Sequence, residues 1–186
     1  MNMLRLVRTA GLLSLLAVGF TSCLNPPTYS TTPSISFESI TQQRYRTGGT
    51  IIDSIFVTIN FQDGDGDLGL TSTEATVAPY TPTYFGSNYF MTPYVRNSST
   101  SPFTALQFAR PDLQLTQNSF YDRFDHPSTT TDNKAAPLRG TLRRAYAFLY
   151  GSPFLPGQEV KFKISIFDRA LHQSNEVETT SIIIPR

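Results

Sequence analysis

The chain has 186 residues, 39% of them hydrophobic and only 16% charged, with a formal net charge of +1. That is enough apolar content for one domain with a real core, and there is no basic stripe to recognise nucleic acid. A single cysteine rules out an intrachain disulfide, and plentiful Thr, Ser, Pro, Phe and Tyr favour strands and turns over helices.

The N-terminus reads as a targeting segment. Arg5 and Arg8 precede an apolar run of eleven residues, 10–20 (AGLLSLLAVGF). Such a run is too short for a comfortable membrane span and suits a signal h-region. It ends in Thr21-Ser22-Cys23, and this junction resembles the lipobox of bacterial lipoproteins, with Phe20 in place of the usual Leu. In that motif the cysteine is lipidated and becomes the new N-terminus. Residues 1–22 are therefore expected to be a lipoprotein signal peptide and Cys23 the lipidation site. The alternative is an ordinary secretory signal with an incidental cysteine. Cleavage removes Arg5 and Arg8 and leaves 13 basic against 14 acidic residues, a net charge of −1.

Residues 23–34 hold three prolines and no apolar periodicity, the composition of a flexible tether. The domain is expected over 35–186. A first strand is predicted at 35–40, a turn at 46–50 around Gly48-Gly49, and a long β-branched strand at 51–62. The inner face of that second strand would carry Ile55, Val57, Ile59 and Phe61. It runs directly into Asp63-Gly64-Asp65-Gly66-Asp67. The stretch 71–103 has four prolines and the tyrosines Tyr80, Tyr84, Tyr89 and Tyr94. Within it 88–95 reads as a strand that Pro93 pushes toward an edge or bulge. A short strand follows at 103–108, then a long loop at 118–137 with a helical turn near Phe120 to Phe124. Residues 138–150 are predicted as a strand ended by Gly151-Ser152-Pro153. The cleanest alternation lies at 159–167, with Val160, Phe162, Ile164 and Ile166 inward and Lys161, Lys163 and Ser165 outward. A last strand occupies 177–184. About six or seven strands over roughly 150 residues make an all-β, antiparallel β-sandwich.

Two segments together, DGDGDLG after a long strand and FDRALHQSNEVET before the last, resemble a family of uncharacterised Bacteroidota lipoproteins. The resemblance implies a lipid anchor and an immunoglobulin-like or cadherin-like sandwich, with no activity attached. In the family's terminal hairpin the pattern is Asp-Arg-Ala-Gly-Asn-x-Ser-Asn. Asp168, Arg169, Ala170, Ser174 and Asn175 match it, while Leu171 and His172 replace Gly-Asn.

Three carboxylates on alternate residues repel one another unless solvated or shared by a cation. Oxygen ligands on a glycine-rich loop suit Ca²⁺. With Asp63 at position 1 of a twelve-residue calcium loop, Asp65, Asp67 and Glu74 fall at positions 3, 5 and 12. Leu68 stands where an EF-hand needs glycine, and the entering segment is a strand, so an EF-hand is not expected. A calcium-binding β-loop and a glycine turn whose Asp side chains cap amides both remain open. In an immunoglobulin-like order the second and sixth strands run the same way. The loops after them then meet at one end, which would bring Asp168 to Asp63, Asp65 and Asp67. Otherwise Asp168 pairs with Arg169 or caps its own loop.

His126 and His172 lack zinc-ligand spacing and read as surface loop residues. No nucleophile elbow, phosphate loop or dinucleotide fingerprint is present, so no catalytic residues are expected. The tyrosines could stack on sugars or fill the core. The expected protein is a non-catalytic envelope module held to the outer membrane by lipid, facing periplasm or cell surface and stabilised by Ca²⁺, with a protein or glycan as partner. The alternative is a glycan-binding accessory lipoprotein of a nutrient-uptake system.

Overall fold

A computed structural model describes residues 27–81, 86–106, 108–110, 115–117, 120–127 and 135–186. The expected signal peptide and Cys23 lie outside them. The strands in chain order are β1 (Ser34–Thr47), β2 (Thr50–Asp63), β3 (Tyr89–Arg96), β4 (Thr104–Ala105), β5 (Phe108–Arg110) and β6 (Leu115–Gln117). After these come β7 (Leu138–Leu149), β8 (Glu159–Ile166), β9 (Val177–Glu178) and β10 (Ile182–Ile183).

Two antiparallel sheets pack face to face. One has the order β1-β2-β7; in the other β10 and β9 share one edge of β8, followed by β3 and β4. This is an antiparallel β-sandwich, with β9 and β10 forming one interrupted edge strand. A small hairpin, β5-β6, stands apart from both sheets. Among the described residues no helix is long and apolar enough to cross a membrane.

The two-residue periods decide what is inside. Ile55, Val57, Ile59 and Phe61 of β2 face Val160, Phe162, Ile164 and Ile166 of β8 across a core that also takes Tyr89, Met91 and Val95. Lys161 and Lys163 stay on the outer surface, paired with Glu178 and Glu176. Pro93 is not at an edge of the sheet: β3 lies between β8 and β4, Pro93 pairs with Phe162 on one side, and on the other its carbonyl accepts from the Leu106 amide at 2.8 Å.

Three local expectations change. β1 does not stop near residue 40 but continues to Thr47, because β2 offers an equally long partner and Gly48-Gly49 closes a two-residue hairpin turn. The tether is not free throughout: the Gly64 N–H donates to the Ser30 carbonyl at 2.8 Å, so residues 29–30 lie on the domain. Phe120 to Phe124 forms no helical turn. Asp122 exchanges both backbone hydrogen bonds with Tyr89, leaving Phe120 and Phe124 on the core side. The short helical piece is instead a 3₁₀ turn at Glu74–Thr76.

Candidate metal site

Asp63 ends β2 and points to the interior face, continuing the alternation of Ile59 and Phe61. It is 0% exposed. Neither of its carboxylate oxygens has a hydrogen-bond partner, and Asp65 Oδ1 and Asp67 Oδ1 are likewise buried without one. One oxygen from each of the three carboxylates fits within a set whose members all lie within 4.8 Å of one another. Two oxygens bound to one Ca²⁺ at 2.3–2.6 Å stand up to about 5 Å apart, so the set is the right size for a single ion.

The electrostatics follow from this crowding. Burial, then the charges of Asp65, Asp67 and Asp168, push the Asp63 carboxyl up to about 6, with the Asp67 amide pulling weakly the other way. Burial also raises Asp67, helped by Asp168 and Asp65 and opposed by Arg169 and the Ala170 amide. Unpartnered buried carboxylates are expensive, and a shared cation removes the cost.

The loop is held in this shape by close backbone packing. Gly66 adopts φ +72°, and a Cβ there would fall 2.3 Å from the Ala136 carbonyl oxygen. At Gly64 a Cβ would meet the Tyr29 carbonyl oxygen at 2.4 Å. Asp65 O accepts from the Ala136 amide at 3.1 Å, and the Leu70 amide donates to Phe124 O at 2.9 Å. Asp67 ties the loop to the end of β8: its carbonyl accepts from the Arg169 amide at 3.2 Å and its Oδ2 from the Ala170 amide at 3.1 Å.

Asp168 does arrive at this end of the sandwich, bridged to Leu68. Its charge is felt by Asp63 and Asp67, yet it stands outside the three-carboxylate set. Both oxygens are taken: Oδ1 accepts from the His172 amide at 2.7 Å, and Oδ2 lies 2.9 Å from His172 Nδ1. Asp168 therefore closes its own loop. Sequence reading missed His172 as its partner.

Glu74 turns away as well. Its Oε2 accepts from the Thr71 amide and hydroxyl at 2.7 and 2.8 Å and meets His126 Nε2 at 2.9 Å, while Thr71 Oγ1 accepts from the Glu74 amide. Thr71 and Glu74 thus brace each other reciprocally at the entry to the 3₁₀ turn, whose N-cap is Thr73. Tyr89 is entirely buried, so it cannot stack on a sugar. Tyr80 is partly buried and donates to Arg169 O; Tyr84 and Cys23 lie outside the described residues.

The terminal motif has a structural role. Asn175 Oδ1 accepts from the Ile35 amide at 2.8 Å and its Nδ2 donates to Ile35 O at 2.9 Å, pinning the start of β1. Leu171 has φ 67°, the one positive value at a non-glycine among the described residues, where the resembling pattern has glycine. Left-handed backbone costs a side-chain-bearing residue about 1–2 kcal/mol. Leu171→Gly should therefore raise stability by about 1 kcal/mol, measured as a higher urea midpoint.

No family model, curated protein or solved structure matches the chain.

Proposed function

We propose that the protein is a calcium-stabilised, lipid-anchored envelope module that acts by interaction rather than by chemistry. The observation that carries the calcium part is the fully buried Asp63, both of whose oxygens lack a partner and share a site with Asp65 and Asp67. A capped turn would have spent these oxygens on amides; only Asp67 Oδ2 is so used. Three carboxylates suit a hard cation, and the loop's irregular geometry favours Ca²⁺ over the strict octahedron of Mg²⁺. Cys23, after its apolar leader, supplies the anchor. The acid–base side chains around the site hold loops in place: Asp168 is bound to His172, and Glu74 to Thr71 and His126. That use of them supports a non-catalytic role.

Thermal unfolding tests the metal. At about one hundred times its dissociation constant, Ca²⁺ adds roughly 2.7 kcal/mol to a protein it binds only when folded. The melting point should rise by about 5–10 °C over the EDTA sample, less with Mg²⁺, and not at all in Asp65→Asn/Asp67→Asn. A parent melt unmoved by Ca²⁺ means a metal-free turn.

A second reading, glycan binding, is favoured by one feature of the outer face. Phe90 packs edge-on against Tyr121 at 4.7 Å and Phe167 at 5.1 Å, all three only partly buried. Glycan-array binding lost in Tyr121→Ala would support it.

A further inference from the structure

The acidic loop touches four separate parts of the chain, and they are not equally secured. Ala136 leads straight into β7, and Phe124 is buried and gripped by Asn88, which donates to its carbonyl and accepts from its amide. Arg169 and Ala170 are fixed between β8 and β9. The fourth part is the N-terminal tether. It meets the loop through one hydrogen bond, Gly64 N–H to Ser30 O at 2.8 Å, and through the flat contact that the missing Gly64 side chain allows. Residues 30–32 are exposed, and the next firm holds on the chain are the buried Pro33 and Asn175 on Ile35.

We infer that the metal site is a latch for the tether: a cation on Asp63, Asp65 and Asp67 keeps residues 29–30 docked, and its removal lets them go. The inference rests on the calcium reading above. Without a cation three carboxylates with buried, unpartnered oxygens repel. Relief comes from opening the loop toward water, and opening breaks the weakest of its attachments first. The consequence is mechanical. Tyr29 is six residues beyond Cys23, so a docked tether holds the acidic end within roughly 20 Å of a lipid on that cysteine. Release back to Thr32 lengthens the reach to roughly 30 Å and loosens the orientation of the sandwich.

Chymotrypsin cleaves after tyrosine, which makes Tyr29 the reporter. The full-length lipidated protein in detergent micelles is digested in millimolar Ca²⁺ and in EDTA, and the fragment beginning at Ser30 is followed by mass. Its appearance should be at least about tenfold faster in EDTA. The same samples are melted. A calcium shift in melting with equal cleavage rates overturns the latch and leaves the metal site standing; no shift and equal rates overturn both. Gly64→Ala tests the docking contact itself, since its Cβ would strike the Tyr29 and Ser30 backbone. It should be cleaved fast in Ca²⁺ as well as in EDTA, with a smaller calcium shift because docking and binding are coupled; cleavage as slow as the parent's in Ca²⁺ overturns the latch. Should Gly64→Ala fail to fold, deuterium exchange of the Gly64 amide in the parent decides. Slow exchange in Ca²⁺ and fast in EDTA supports the latch; equal exchange overturns it.

Discussion

Phe162→Ala should destabilise the protein by about 3–5 kcal/mol, read as a lowered urea midpoint with an unchanged slope. Phe162 is fully buried at the centre of β8, paired across the sheet with Pro93. Its ring meets Phe154 and Phe120 edge-on, with centroids at 6.1 and 6.2 Å, and those two rings stack on each other at 5.7 Å. Deleting it removes apolar contact from two neighbouring rings and leaves a hole that a β-sheet backbone cannot close. Lys163, one residue on, points the opposite way, pairs with Glu176 at 2.9 Å and lies over the Tyr94 ring. Lys163→Ala should leave the midpoint nearly unchanged, because exposed ion pairs contribute little. Equal losses at 162 and 163 would mean that β8 is not buried on one side only.

What could be read from the sequence was whatever a short-range pattern carries. The alternation in β2 and β8 named the core residues, and the parallel course of those two strands brought Asp168 to the acidic loop before any contact was known. What escaped depends on partners distant in sequence. Thr41 to Arg46 has no apolar alternation, and only the long register with β2 makes it a strand. Phe120 and Phe124 have helix-like spacing but are drawn into the core by the Tyr89–Asp122 bridge. Tyr89 looked as available as Tyr94, yet its parity in β3 puts one inside and the other out. At the candidate site the three carboxylates were legible, whereas the fate of Asp168 turned on a single unforeseen partner, His172. The docking of Tyr29 and Ser30 left no trace but a glycine at 64.

The acid dependence of the metal-free protein should run opposite to ordinary acid unfolding. Burial and three neighbouring carboxylates raise Asp63 to about 6 in the fold, against roughly 3.9 in the unfolded chain. A carboxyl raised by folding is penalised when ionised, so its stability is fully present below the unfolded value. It is lost as pH rises through the folded one. The loss totals about 3 kcal/mol, and roughly half of it falls between pH 5 and 7.5. In EDTA the protein should therefore melt higher at pH 5 than at pH 7.5, by about 3–6 °C. Asp63→Asn should shrink that difference, because an amide carries no charge to penalise; what remains belongs to Asp67, which burial also raises. Below about pH 4 the trend should turn over, since Glu74, held down by the Thr71 amide and hydroxyl and by His126 despite some burial, then loses its own partners' support. Saturating Ca²⁺ should reverse the slope between pH 5 and 7.5, because the ion binds the ionised carboxylates and competes with protons for them. A metal-free melt that falls from pH 7.5 to 5 to the same extent in parent and Asp63→Asn would show that Asp63 is not the strained group at this end of the sandwich.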